Sequence, residues 1–409
     1  MSTLIVHQEK IIDAKALPAL CPFGAIIADS EGVRISESCR MCLLCVKKGP
    51  AGVFELRKDE APAPIVDKSL WQGVLVSIEQ RDGIIHPVSL ELVGKARELA
   101  QKAGQPLYDS VAGMDLAAVG QELLKYGIDT VCLYEDPELQ LFRVEPHTAV
   151  LEDAIDYLKP AVVLVGGTPS GRMLAPRTAA RLHTGLTADC TVLDIQSNGD
   201  LDQIRPAFGG NIMAHIRTPN HRPQFATVRY KVFDMAHPVD IPTGRVVQRS
   251  LSPAKLASGI EVLEVHPKGV GSYIEDAQVL VAVGKGIGSQ ANLGLVEQLA
   301  EVLGAQVACT RPLVENGWMD PRKQIGLSGR TVRPKLIITC GISGSVQFVA
   351  GMKGSEKIIA INSDPNASIF KTDHVGLVGD LFEILPRLID LITQKGTSFL
   401  HAKEASSHV

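Results

Sequence analysis

Aromatic residues are scarce in this 409-residue chain, where Phe, Trp and Tyr together make up 4%. Its core must therefore come from Val, Ile, Leu and Ala, the composition of stacked α/β layers whose parallel strands are buried on both faces. Neither sign of charge dominates: 41 Lys and Arg against 45 Asp and Glu leave a net −4. That balance argues against nucleic acid as a partner, because its binders carry a basic footprint. No stretch approaches the roughly 18 apolar residues of a membrane span. The first residues, MSTLIVHQEK, show no basic segment leading into an apolar one, so no secretory leader is expected. A cytoplasmic location is the expectation. No nucleophile elbow or catalytic triad pattern is present.

Cysteine is missing upstream of Cys21, and then four arrive within 25 residues: Cys21-Pro22, Cys39, Cys42 and Cys45. Three of them form Cys-x2-Cys-x2-Cys. A run of the bacterial iron–sulfur type would close with a fourth Cys-Pro, but here Gly49-Pro50 stands in that place. The proline is kept and the sulfur is not. Three thiolates from one tight loop, completed by a distant Cys-Pro, make the ligand set of one [4Fe–4S] cluster. A structural zinc site is the alternative, although such sites usually pair two Cys-x2-Cys knuckles. Unconnected cysteines are another. Cys132, Cys190, Cys309 and Cys340 are scattered through apolar runs and read as buried free thiols.

The length suggests two or three domains. Residues 1–60 carry the cysteines and end in a Pro-, Ala- and charge-rich spacer at 57–64, which reads as a linker. Short aliphatic runs then alternate with helical stretches: GVLVSI (73–78), a helix over 90–103, IDTVCLY (128–134), a helix near 147–158, AVVLVGG (161–167), a helix near 174–183, and CTVLDI (190–195). Alternation at this spacing predicts βαβ units and a parallel sheet. Leu92, Ala96, Leu99 and Ala103 form the core stripe of the first helix. NIMAHI and FATVRYKVF read as further β segments, closing a domain over 70–250. A second α/β unit, 255–395, has QVLVAVG, AQVACT, KLIITCG, KIIAIN and HVGLVGD as strands. Residues 396–409 read as a polar tail.

Two glycine-containing turns follow strands of this second unit. One is GKGIG from Gly284 to Gly288; the other, CGISGSVQ, places Gly341, Ser343, Gly344 and Ser345 before a helix near Val346. Glycine lets a phosphate approach the backbone, and a helix start offers free N–H donors. Neither turn is the G-x-G-x-x-G fingerprint with its later acidic residue. Each alone is an ordinary strand-to-helix turn. Together with Asn362 and Asp380 at later strand ends, they point to a dinucleotide site.

At this point the chain resembles a known family. The segments GRMLAPRTAARLHTGLTADCT (171–191), RPAFGGNIMAHI (205–216), RPQFATVR (222–229), TRPLVENGW (310–318), IGLSG (325–329), GISGSVQ (341–347), AGMKGSEKIIAINSDPNASIF (350–370) and VGLVGDLFEILP (375–386) are similar to the α-subunit of electron-transfer flavoproteins, in family order. The resemblance implies two Rossmann-like α/β domains with FAD in the second. The N-terminal extension is similar to the ferredoxin-like domain of the electron-bifurcating members.

On that resemblance, Lys285 stands where the family has the arginine of an SGGRG loop. Thr310 and Arg311 match its Ser-Arg pair. Ile325, Gly326, Leu327 and Ser328 match the VGQT loop, with Ser328 near the flavin N5. Ser343, Gly344, Ser345, Val346 and Gln347 match the loop over the pyrophosphate and flavin. Asn362 and Asp380, with Leu381 beside it, match positions around the adenosine half. Three residues depart from the pattern: Leu327 for glutamine, Phe348 for a common histidine, and Lys285 for arginine. A cation by the pyrimidine edge would stabilise charge on a reduced flavin, so Phe348 implies a shifted potential.

The implied function is an electron-carrying subunit with FAD and one [4Fe–4S] cluster. Its implied partners are a β-subunit, a lactate or acyl-CoA-type dehydrogenase, and ferredoxin. The alternatives are a conventional, non-bifurcating electron-transfer flavoprotein subunit and a flavin-free redox-sensing nucleotide-binding module. Arg172, Arg177 and Arg181 read as a solvated helix face, and His183, His215 and His221 as surface or structural residues.

Overall fold

The computed structural model describes residues 2–30, 32–36, 38–58, 66–207, 212–266 and 273–395. The 396–409 tail lies outside them, as does the 57–64 spacer after its first two residues. The chain divides into two compact units, Met1–Ile65 and Val66–Val409.

The first unit pairs strand Ser2–Val6 antiparallel with Phe54–Lys58, and Ile26–Asp29 antiparallel with Gly32–Ile35. A 3-10 stretch, Ala14–Leu20, and a one-turn helix, Leu44–Lys48, complete it. Its core is small: among the described residues Leu17, Ala25, Ile26, Val33, Val53 and Phe54 are the buried apolar side chains. A core of this size supplies only a few kcal/mol and normally needs a disulfide or a metal to stabilise it. All eight cysteines are free thiols.

The second unit contains two parallel sheets. The first has seven strands in the order Leu186–Thr187, Gln224–Val228, Val162–Gly166, Val74–Ile78, Leu107–Gly113, Thr130–Glu135 and Arg245–Arg249, every neighbouring pair parallel. Val74–Ile78 and Val162–Gly166 are aliphatic because helices cover both faces. Helix Pro87–Ala103 shows how local chemistry sets its ends. His86 Nδ1 accepts from Val88 N–H at 3.1 Å, Pro87 occupies the first turn, and Gly104 at φ 64° stops the helix. Its Leu92, Ala96 and Leu99 are wholly buried, and Ala103 packs beside them.

Four details differ from the sequence expectation. The 174–183 helix starts earlier, at Pro169, because the Thr168 hydroxyl accepts from Gly171 N–H at 3.0 Å and fixes the first turn. CTVLDI does not extend the parallel sheet. Val192–Ile195 instead joins Leu201–Ala207 and Ile212–Ile216 in a separate antiparallel sheet. FATVRYKVF is strand only over Gln224–Val228, which lies inside the parallel sheet next to Val162–Gly166. Arg245–Arg249, polar enough to resemble a loop, forms the edge strand.

The second sheet has five parallel strands in the order Gln306–Cys309, Val279–Val283, Leu336–Cys340, Lys357–Asn362 and Val375–Val378. Strand order reverses between Val279–Val283 and Leu336–Cys340. In the first sheet it reverses between Val74–Ile78 and Val162–Gly166. Such switch points open crevices beyond the C-terminal strand ends, where open α/β sheets bind ligands.

Candidate functional sites

Cys21, Cys39, Cys42 and Cys45 all line one small cavity in the first unit, walled by apolar side chains such as Leu4, Leu20 and Ile26. Cys21 ends the 3-10 stretch, and its sulfur accepts from Ala25 N–H at 3.3 Å. Cys39 Sγ accepts from Met41 N–H at 3.4 Å. Two bulky residues between the cysteines, Met41 at φ 50° and Leu43 at φ 60°, take the left-handed conformation. Such strain in residues with large side chains clusters at functional loops. Here it turns the chain at each x2 gap, so that successive sulfurs face one interior. Burial pushes the Cys45 thiol up, and the nearby Cys39 and Cys42 push it further.

Gly49, where a fourth cysteine of the run would stand, has a steric reason to be glycine. A Cβ there would lie 2.3 Å from the Cys45 carbonyl oxygen, so no thiol can project from this position without moving the loop. Among the described residues no three His, Cys, Asp or Glu side chains are grouped to hold a single metal ion. The thiolates of a cubane cluster differ from such a group, because each binds a separate iron.

The second candidate lies at the switch point of the five-stranded sheet. Gly284 N–H donates to Cys340 O at 2.9 Å and Gly286 N–H to Gly341 O at 3.0 Å. The two turns thus touch backbone to backbone. A Cβ on Gly284 would come within 2.5 Å of Gly341 O, and one on Gly344 within 2.2 Å of Ile369 N. Gly344 also needs its φ of 82°. Leu327 N–H donates to Gln347 O at 3.0 Å, tying the 325–330 loop to the same group.

Lys285, Ser343, Ser345, Val346 and Gln347 face solvent around this group of loops, as does Ser328, whose hydroxyl accepts from the Gln324 amide at 2.9 Å. Thr310 caps the short helix Arg311–Glu315 by position only, and Arg311 pairs with Glu315 at 2.7 Å. Ile325 and Gly326 are buried beneath. Phe348 is buried as well, in the sheet's core with Met352 and Ile369. Asn362 donates to Ile342 O at 2.8 Å, linking adjacent strand-end loops. Asp380 accepts from Phe382 N–H at 2.8 Å at the start of helix Leu381–Lys395, whose Leu381 is core. Helix Val346–Val349 is a single turn, its start capped by Ser345.

Other readings meet the structure directly. Cys132, Cys190, Cys309 and Cys340 are fully buried; burial pushes Cys340 up to about 12. Arg172, Arg177 and Arg181 are exposed and pair with Asp189, Glu145 and Glu152. His183 is exposed, and His215 bonds Asp202 at 2.9 Å. Sequence reasoning missed a cavity in the first sheet, lined partly by residues 139–151 and 262–265. A switch point was implicit in the βαβ order, but its open volume was not.

No helix among the described residues is long and apolar enough to cross a membrane. The model of the electron transfer flavoprotein domain matches residues 74–256, and that of the electron transfer flavoprotein FAD-binding domain matches 273–353. Among curated relatives, the lactate dehydrogenase (NAD(+),ferredoxin) subunit LctC of Acetobacterium woodii is 54% identical over 378 residues, covering 92% of this chain and 90% of that one. That alignment is longer than the whole stretch from Val66 to Val409, so it reaches into the cysteine-bearing unit. The electron transfer flavoprotein subunit alpha of Megasphaera elsdenii is 42% identical, covering 81% of this chain and 99% of its own. Protein FixB of Clostridium saccharobutylicum is 43% identical over 78% and 96%. This chain belongs to the electron transfer flavoprotein α-subunit family.

Proposed function

We propose that this chain is the α-subunit of an NAD-linked, flavin-based electron-bifurcating complex. It would work with a β-subunit, a dehydrogenase of the lactate or acyl-CoA type, and ferredoxin. The observation that carries this reading is the long alignment to a subunit whose name includes lactate, NAD and ferredoxin, extending into the unit with the four cysteines. The first unit would be a ferredoxin-like domain, and Cys21, Cys39, Cys42 and Cys45 would hold one [4Fe–4S] cluster. The shared cavity, the N–H groups aimed at two sulfurs and the undersized core support that fit. Backbone N–H donors to sulfur and a dry apolar wall are the protein's means of setting a cluster's potential.

FAD would sit on the loops at the five-stranded switch point. The backbone-to-backbone packing of Gly284, Gly286, Gly341 and Gly344 supports that choice. Lys285, Thr310, Arg311, Ile325, Gly326, Leu327 and Ser328 would surround it on one side. Ser343 to Phe348, Asn362, Asp380 and Leu381 would do so on the other. Lys285 is exposed and makes no ion pair among the described residues, so its ammonium is free to face phosphate. When bound, the flavin exchanges electron pairs for single electrons and the cluster passes them singly. The chain's task is to hold both groups.

The test is anaerobic purification with the β-subunit, then replacement of Cys42 by Ser. A hydroxyl is a poor substitute for a soft sulfur ligand. We expect about four irons per chain in the parent. The variant should lose iron and NAD-coupled ferredoxin reduction while keeping its FAD. Zinc or eight irons in the parent would exclude the single cluster. Ferredoxin reduction that persists in the iron-free variant would take the cluster off the electron path. No ferredoxin reduction in the intact complex would favour the conventional carrier.

A further inference from the structure

The switch point of the seven-stranded sheet holds a cavity of about 370 Å³ that neither the cysteines nor the glycine loops use. Its size falls within the roughly 300–1,000 Å³ of small-molecule sites. Ser77, near the end of its strand, and Ser110, in the middle of the neighbouring parallel strand, are paired in register, and Ser170 comes from the first turn of helix Pro169–Arg181. None of these three hydroxyls makes a side-chain hydrogen bond to a described residue. The opposite wall is apolar, with Leu139, Phe142 and Leu151. Val262 and Val265, both exposed, also line it from an irregular segment whose Leu263 is 87% exposed.

Charge selects the ligand. Phosphate would need several free N–H donors at the helix start, but few are left. Pro169 has none, Gly171 N–H is held by the Thr168 hydroxyl, and Arg172 N–H by the Thr168 carbonyl. The Glu79 carboxylate lines the same cavity and accepts from Thr168 Oγ1 at 2.6 Å, so an anion would meet a like charge. His147 lies in the wall, and burial pushes its pKa down to about 4, which leaves it neutral. Arg81 could offset Glu79, but it is two-thirds exposed beside Asp82 at 3.8 Å. Three free hydroxyls, one carboxylate acceptor and a flat apolar wall suit a neutral ring bearing hydroxyl groups.

We propose that this cavity binds a neutral, hydroxylated heteroaromatic ligand of the nucleoside class. Its ring packs against Phe142 and Leu151, and its hydroxyls bond Ser77, Ser110 and Glu79. The site is independent of the flavin and cluster assignments.

Titration calorimetry on the flavin-loaded protein with adenosine as probe tests it. Adenosine should bind saturably with one-to-one stoichiometry, and adenosine monophosphate at least about fivefold more weakly. Glu79→Gln should narrow that gap. Ser110→Ala should weaken adenosine about fivefold, the worth of one hydrogen bond. Ala112→Phe, which puts a ring into the cavity, should abolish binding with flavin content unchanged. If that variant does not fold, the Ser77→Ala, Ser110→Ala double variant decides by the same loss. Absence of saturable adenosine binding, undiminished binding in Ala112→Phe, or tighter binding of the monophosphate overturns the proposal.

Discussion

The two parallel sheets both reverse strand order beside their first strand, yet their crevices are built in opposite ways. At the five-stranded sheet, Gly284, Gly286, Gly341 and Gly344 let loop backbones touch, leaving main-chain groups and exposed polar side chains at the rim. At the seven-stranded sheet, serine, glutamate and aliphatic side chains surround an open volume. Side-chain deletion makes a backbone surface that can cradle phosphates. Side-chain retention makes a walled pocket selective for shape and hydroxyls. The sheet fixes where a ligand can bind, and the loop residues decide what kind. The cysteine unit follows a third route, in which strained bulky residues rather than glycines turn the loop.

Gly344→Leu would break this comparison most severely. The new Cβ would sit 2.2 Å from Ile369 N at a φ of 82°, so both sterics and backbone conformation oppose it. Non-glycine residues in this region cost about 1–2 kcal/mol before any clash is counted. Visible absorbance of the purified complex should show most of the flavin lost. Amide exchange in strands Val74–Ile78 and Val162–Gly166 should be unaltered. Full flavin occupancy in this variant would show that the 341–347 loop is not part of the cradle.

Much of this was legible in the residues. Aliphatic runs and their spacing gave all five strands of the second sheet: the inner ones are apolar because they are buried on both faces, and the exposed edge Val375–Val378 is apolar as well. The Leu92, Ala96 and Leu99 stripe gave a helix face for a similar reason. The first sheet was read less well. Gln224–Val228 looks like any β segment, and only tertiary pairing inserts it between Leu186–Thr187 and Val162–Gly166. Arg245–Arg249 was missed because an edge strand tolerates polar residues. Cysteine spacing named four thiols, but not the Gly49 contact that forbids a fifth. Asn362 and Asp380 were read as ligand residues; the structure adds contacts that only distances reveal, Asn362 donating to Ile342 O on the adjacent loop and Asp380 accepting from Phe382 N–H at its own helix start.

A second difference between the sheets lies in their interiors. Asp109 sits in the middle of the seven-stranded sheet, opposite Val76 and Val131, with both carboxyl oxygens buried and unpartnered among the described residues. The interior of the five-stranded sheet holds no buried carboxylate among the described residues. Burial raises the Asp109 carboxyl well above its ordinary range. The folded state therefore keeps a proton that the unfolded chain gives up from about pH 4. Stability then falls as pH rises through that window, by up to about 1.4 kcal/mol per pH unit. Glu91, raised to about 8 by burial, adds a slope of the same sign between its ordinary range and 8. Asp109→Asn removes only the first contribution. Urea unfolding at about pH 5 and pH 8 should show the variant gaining on the parent as pH rises. A constant difference between the two pH values would mean that Asp109 ionises freely in the fold.

The smallest effect should come from Lys285→Ala, and it separates rim from frame. Lys285 is exposed on the GKGIG turn and makes no ion pair among the described residues, so thermal unfolding of the flavin-free protein should not change. If its ammonium faces the flavin or its phosphates, the variant loses one solvent-screened attraction. Such exposed pairs contribute about 0.2–1 kcal/mol, which corresponds to a flavin dissociation constant raised up to about fivefold. Lys285→Arg should recover that affinity because charge and reach are kept. The pair of variants reads charge alone, since neither side chain packs in the core. Equal flavin affinity in parent and Lys285→Ala protein would move the ligand away from this turn. The glycines at Gly284 and Gly286 would then serve only to let two strand-end loops meet.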